Sequence, residues 1–325
     1  MPITIRALKP LLCTLFFLLP WCVAQADSYP QREISFIVPY PPGGATDTLA
    51  RAVALELSDR WEVPVVVDNR AGASGNIGNT QVAKAKGDPY TLLFGINFIT
   101  QAPALFENLH YDPVRDFTPI SEVARSQNLI VVTDDMPVKT FEELVKRVKD
   151  NPGEYEMGNY GMGTSSHIYA EYLNKQTGMD LLHIPYPGAA PLLNALLGKQ
   201  VRVAIIDAAS ARSQLDTGAF RVLAVTGSDR LSTQPEVPTL KELGYSGFDA
   251  YGWFGLLAPA GIDDNVRDKL SKEVSDIVQD EKTSELLTRL GLTPVGSRSD
   301  AFAEVVREDM KTWGNLIAET GITIH

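Results

Sequence analysis

The run Ile34-Ser35-Phe36-Ile37-Val38 breaks into Pro39-Tyr40-Pro41-Pro42-Gly43-Gly44-Ala45-Thr46-Asp47, and the reading of this stretch decides the fold. Ile34 to Val38 is short and apolar, as a buried strand is. The prolines and paired glycines then stop it. From Thr46 onward Leu49, Val53 and Leu57 recur at i, i+4 and i+8, with Ala50 and Ala54 beside them, so a helix is expected there. Strand, glycine turn and helix together form the repeating unit of an α/β fold with largely parallel sheets.

Towards the N-terminus, Arg6 and Lys9 precede an apolar run from Leu11 to Val23 and then Ala24-Gln25-Ala26. That order is a secretory signal, expected to be cleaved between Ala26 and Asp27. The apolar run is shorter than the roughly 20 residues a membrane span needs, and no later segment approaches that length, so no stable membrane insertion is expected. Pro20-Trp21 before Cys22 fit lipoprotein processing poorly. Both cysteines, Cys13 and Cys22, lie in the leader, which leaves the exported part without disulfides or thiol chemistry. Loss of Arg6 and Lys9 takes the net charge from −11 to −13 with no block of Lys or Arg remaining, which makes nucleic acid and anionic membrane poor partners.

Towards the C-terminus the same unit repeats. Val63 to Val67 and Tyr90 to Phe94 read as strands, with a helix through Val82 between them. A second set begins at Leu129 to Thr133, continues with a helix over Phe141 to Val148 and strands over Tyr155 to Asn159 and His183-Ile184, then a helix over Ala189 to Leu197 that Gly198 caps. Val201 to Ile206 and Arg221 to Val225 read as buried strands. After Tyr251 to Ala258, two long helices are expected: one places Val266, Leu270, Val274 and Ile277 on one face, and the other Phe302, Val306, Met310 and Trp313, with Gly321 as its stop. No repeat, low-complexity tract or linker separates the two sets, so interleaved lobes are expected: 27–125 plus 246–325, and 126–245. Hinge strands fall near Glu122 to Arg125 and Asp249 to Phe254.

Three loops share one geometry, in which a strand ends, a glycine turn follows and a helix starts with unpaired N–H groups. They are Pro39 to Asp47, Tyr160 to His167 (YGMGTSSH) and Tyr186 to Pro191 (YPGAAP). The ordinary reading of each is a turn with a helix cap. Three together, at the carboxyl ends of strands in an open α/β sheet, point to a ligand cleft, and the helix ends favour an anion such as a carboxylate. Thr164 and Ser165 supply hydroxyls for capping or for a ligand.

Other candidates weigh less. His167 and His183 have no partner at a metal-ligand spacing such as HExxH, so neither a metal nor a cofactor is expected. Ser165 with His167 hints at a secreted hydrolase, but there is no GxSxG elbow, and residues two apart on a helix point in different directions. Gly72 to Gly78 (GASGNIG) lacks the Lys-Ser/Thr of a phosphate loop and reads as a turn. Asp207, directly after a strand, has three open readings: a helix cap, a hydrogen-bond partner in the pocket, or a counter-charge for an amino group on the ligand.

These segments, in this order, resemble the substrate-binding receptors of tripartite tricarboxylate transporters, the Bug proteins. The resemblance rests on PYPPGGATDTLAR (Pro39 to Arg51), VVVDNRAGASGNIG (Val65 to Gly78), VAKA (Val82 to Ala85), YGMGTSSH, YPGAAPLLNALLGKQV (Tyr186 to Val201), RVLAVTGSDR (Arg221 to Arg230), VPTLKELG (Val237 to Gly244) and WFGLLAPAG (Trp253 to Gly261). It implies a type 2 periplasmic-binding-protein fold, two interleaved α/β lobes that close on a small carboxylate, in a periplasmic monomer, not an enzyme, that delivers its ligand to membrane subunits. It further implies that the loop Pro42 to Asp47 and waters hold one carboxylate, with Gly163 to Ser165 and Asp207 from the other lobe. Tyr40, Pro42, Gly43, Gly44, Ala45, Asp47, Asn97, Gly163, Thr164, Ser165, His167, Tyr186, Gly188 and Asp207 are therefore the expected ligand-binding residues. The chain departs from the family pattern at Pro89, where Gly is usual, and at Ile96 and Phe98, where smaller residues are usual and which bear on the size and polarity of the pocket.

Overall fold

A computed structural model describes residues 29–324, so the expected leader at 1–26 lies outside the described residues. The chain lays down β1 (Ile34–Val38), α1 (Ala45–Trp61), β2 (Val65–Asn69), α2 (Asn76–Lys84), β3 (Thr91–Ile96), α3 (Phe98–Leu105) and β4 (Phe117–Ser126) before it crosses to a second sheet. There it forms β5 (Asn128–Thr133), α4 (Phe141–Asp150), β6 (Glu156–Asn159), α5 (Ser165–Thr177), β7 (Leu182–Pro185), α6 (Ala189–Leu197), β8 (Val203–Asp207), α7 (Ala208–Leu215) and β9 (Phe220–Val225). It then returns to the first sheet through β10 (Gly252–Pro259), α8 (Asp264–Gln279), α9 (Glu281–Arg289), β11 (Thr293–Pro294) and α10 (Ser299–Thr320).

The first sheet has the order β11-β4-β10-β3-β1-β2 and the second β7-β6-β8-β5-β9. Pairing is mixed, which corrects the expectation of largely parallel sheets: β1 runs parallel to β2 and β3, and β6 to β7 and β8, whereas β10 and β5 run against their neighbours. Connectivity explains the difference. Strands β1, β3, β6 and β8 end at the cleft, but β5 and β10 begin there, because the chain has just crossed over from the other sheet. The crossings lie side by side, with Gly252 in register with Ser126 and Trp253 with Arg125.

Strands buried along nearly their whole length, such as β3, β5, β8 and β10, and apolar helix faces give each sheet its own core. Phe36, Leu49, Phe94 and Leu256 pack in the first lobe, and Ile130, Met157, Tyr169 and Ile205 in the second. Helix α10 enters both. Phe302 and Val306 pack against Phe98, Leu257 and Trp253, while Trp313, Leu316 and Ile317 belong to the core around Tyr169 and Phe141. The Tyr169 and Trp313 ring centroids are 5.1 Å apart. One sequence expectation changes in this half of the chain: the short α9 intervenes between the two long helices.

Candidate functional site

The strand β1 stops at Pro39 because proline cannot continue the ladder, and Gly43, at φ 91°, turns the chain into α1. Within the turn Asp47 reaches back: Oδ2 accepts from the Gly43 N–H at 3.0 Å and from Arg51 Nε at 3.1 Å, and Oδ1 accepts from Asn69 Nδ2 at 3.0 Å. Burial works against its charge, yet the bonds from Arg51, Gly43 and Asn69 hold its carboxyl below the usual range. Asp47 thus shapes the loop and does not face the cleft. The Thr46 and Asp47 N–H groups have no acceptor among the described residues, so the positive end of α1 remains available.

Between the lobes lies a cavity of about 40 Å³. Gly44, Ala45 and Thr46 wall it on one side, Gly188, Asp207 and Ser210 on the other, and Ser126, Asn128, Trp253 and Phe254 form the hinge side. No Lys or Arg lines it. Its donors are neutral. Asn97, between β3 and α3, is 2% exposed and lines the cavity, and its Nδ2 has no partner. A buried donor left unpaired costs about 1–3 kcal/mol, a cost that an acceptor placed in the cavity would remove.

Asp207 takes the first of the roles left open by the sequence. Its Oδ1 accepts the Ser210 N–H at 2.8 Å and so caps α7, and the side chain also fronts the cavity. Burial pushes its pKa up.

The other expected site residues divide by position. Tyr40 and Gly188 stand on the cavity wall with Gly44, Ala45, Asn97 and Asp207. Tyr186 lies outside it, on an adjoining groove. Pro42 and Gly43 are exposed and off the wall. Gly163, Thr164, Ser165 and His167 stand behind the wall as a brace. Thr164 Oγ1 donates to Gly161 O at 2.7 Å, Gly163 N–H donates to His167 Nδ1 at 3.1 Å, and Ser165 Oγ lies 2.9 Å from the Tyr160 hydroxyl. Tyr160 is the residue of that loop which reaches the cavity.

Ser165 therefore engages Tyr160 and not His167, and a nucleophile–base pair between them has no geometry here. Of the two unusual residues, Ile96 is on the wall, whereas Phe98 is turned into the core against Phe106, with ring centroids 6.2 Å apart. Phe98 thus does not shape the pocket directly. Outside the three loops, the expected ligand-binding residues missed Ser126, Asn128, Ser210, Gly252, Trp253 and Phe254 on the wall. The expected hinge at Asp249 to Phe254 was the available signal for the last three.

His167, Glu171 and His183 come together, their candidate ligand atoms within 4.8 Å of one another. The i, i+4 step from His167 to Glu171 is the sequence signal for this cluster. Hydrogen bonds nevertheless set the tautomers against a cation. His167 Nδ1 accepts from Gly163, and Asn174 Nδ2, which also donates to Leu181 O, lies 2.9 Å from His183 Nε2. Each ring then turns an N–H, not a lone pair, towards Glu171, at 3.7 and 3.5 Å. A metal-bound imidazole has the reverse arrangement. Burial lowers both pKa values, that of His183 to about 4.

Two interleaved α/β lobes that close on a small, donor-lined cavity define a solute-binding protein. The profile of the family described as "Tripartite tricarboxylate transporter family receptor" matches residues 49–322, and the chain belongs to this family. It is 34% identical over 298 residues to Protein BugT of Bordetella pertussis, covering 91% of each chain. Among solved structures it resembles the periplasmic binding protein BugD (35% identity, TM-score 0.87, 91% of this chain and all, 100%, of that one). It also resembles Rhodopseudomonas palustris Rpa4515 with adipate (30%, 0.88, 91% and 100%) and MatC of the same organism with bound malate (30%, 0.84, 89% and 100%). The type 2 periplasmic-binding-protein fold is that of these relatives.

Proposed function

We propose that this chain is an exported receptor that closes on a small carboxylate and delivers it, as a monomer, to the membrane subunits of a tripartite transporter. One observation carries the reading: Thr46, whose N–H at the start of α1 has no acceptor among the described residues, and Asn97, whose amide is unpaired, both line the cavity between the lobes. Such a site holds an anion through amide dipoles without a cationic side chain, at about 1.5–3 kcal/mol for each hydrogen bond to a charged group. That relatives of this fold carry adipate and malate supports the ligand class. The family assignment supports the transporter as recipient.

Mass spectrometry of whatever co-purifies, followed by titration calorimetry with mono-, di- and tricarboxylates, tests the reading. Failure of every carboxylate to bind would sink it. Export is checked by N-terminal sequencing of the periplasmic fraction, with Asp27 expected first. Retained Met1 or a lipid on Cys22 would refute that part.

A further inference from the structure

The inner cavity does not stand alone. A groove of about 340 Å³ adjoins it on the outer side, walled by Gly72 to Gly75 from the first lobe and by Met162 and Tyr186 from the second. Tyr40 and Tyr160 are the two side chains that front both spaces. Each comes from a different lobe, just beyond the cleft end of a strand, and each is 8% exposed.

Both rings are held. The Tyr40 hydroxyl donates to Ser74 O at 3.0 Å, and a Cβ at Gly75 would stand 3.0 Å from that hydroxyl, so Gly75, at φ 109°, leaves the ring its place. The Tyr160 hydroxyl donates to Asn128 Oδ1 at 3.0 Å and accepts from Ser165 Oγ at 2.9 Å. Tyr160 N–H also donates to Ser166 Oγ at 3.0 Å. Neither ring can turn aside without breaking a hydrogen bond, which for Tyr160 is a buried one.

We propose that Tyr40 and Tyr160 form a two-leaved partition that sets the length of ligand this receptor accepts. The proposal rests on the carboxylate reading above and adds a selection rule to it. A water needs about 10–15 Å³ in such a cavity, so the inner space admits only a compact molecule. A longer one must cross the partition into the outer groove. The selected class is therefore a short carboxylate, and length is read by two tyrosines and not by the groups that hold the anion.

The experiment is calorimetric titration of the full exported chain with straight-chain dicarboxylates from succinate through glutarate, adipate and pimelate to suberate. Parent, Tyr40→Ala and Tyr160→Ala are compared after circular dichroism confirms their folds. Parent affinity is expected to fall as the chain lengthens, and Tyr40→Ala to raise the ratio of suberate to succinate affinity at least tenfold. Tyr160→Ala opens the other leaf and should shift the profile the same way, so it decides the matter if Tyr40→Ala does not fold. A parent that binds suberate as tightly as succinate, or a folded variant with an unchanged profile, overturns the partition while the carboxylate reading stands. A parent that binds no carboxylate in the series or in the wider panel overturns both.

Discussion

The N–H of Ala45, the first residue of α1, donates to the hydroxyl of Ser210 in α7 at 3.1 Å, across the cleft and 165 residues away in sequence. Both residues wall the inner cavity. This bond exists only when the lobes meet, so Ser210→Ala should weaken closure by about 0.5–1.5 kcal/mol. Ligand affinity should fall by up to about tenfold. The cap that Asp207 places on α7 accepts a backbone N–H of residue 210 and survives the change. Calorimetry gives the affinity, and an unaltered melting temperature without ligand would separate closure from folding.

Gly44 sits at φ −85°, where any residue is comfortable, so its importance is not conformational. A Cβ there would have Ala190 N as its nearest atom, 3.9 Å away in the opposite lobe. Alanine should be tolerated. The branched side chain of Gly44→Val should press on Ala190 and cover the α1 amides, weakening binding at least about tenfold, or about 1.4 kcal/mol. Circular dichroism should be unchanged. Parent-like affinity in the folded variant would rule out the amide cradle.

Asn97 separates stability from binding. Its Nδ2 has no partner and its side chain does not cap α3, so Asn97→Ala removes little that holds the ligand-free fold together. The bond it would make to a carboxylate is of the stronger kind, about 1.5–3 kcal/mol. A melting temperature within a few degrees of the parent's, with affinity reduced tenfold or more, is the expected pair of results. A large loss of melting temperature would instead mark Asn97 as structural.

Asp309 on α10 ties the hinge to pH. Its Oδ2 accepts from Trp253 Nε1 at 2.7 Å and lies 3.2 Å from Thr100 Oγ1. Burial raises its pKa to about 7, Glu122 adds to the rise, and the bonds from Trp253 and Thr100 oppose it. The folded state therefore binds a proton that the unfolded chain, with a carboxyl near about 3.9, has already lost. Stability from this group is complete below the unfolded pKa and falls as pH rises towards 7, by at most about 1.4 kcal/mol per pH unit, the limit for one proton. Asp309→Asn should flatten that slope. Melting curves between acid and neutral pH would show it, and identical slopes in parent and variant would refute it.

The sequence carries the glycine loops and their helices because these obey local rules. Proline ends β1, periodic Leu49, Val53 and Leu57 define α1, and Asp207 caps the helix after its strand. What escaped is decided by tertiary contact. Ser126 and Trp253 lie in ordinary strand sequence and gain their place only because two crossings run side by side. Phe98 could face either way until Phe106 and α10 claim it. Thr164 and Ser165 looked like ligand groups because a hydroxyl at a helix start can serve either purpose, and the fold spends both inside the loop.

Helix α10 gives the molecule something two crossing strands alone would lack: a beam fixed at both ends. With Phe302 rooted in one core and Trp313 in the other, the lobes cannot part without bending that beam or sliding Trp313 over Tyr169. Gly314, next to Trp313 and with open space where a Cβ would stand, marks the place where it yields most readily, since glycine in a helix interior costs roughly 1 kcal/mol relative to alanine. Opening is therefore expected to be a small rotation against that beam and not a free swing. We expect ligand to change the radius of gyration only slightly and Gly314→Ala to stiffen the motion, both readable by X-ray scattering.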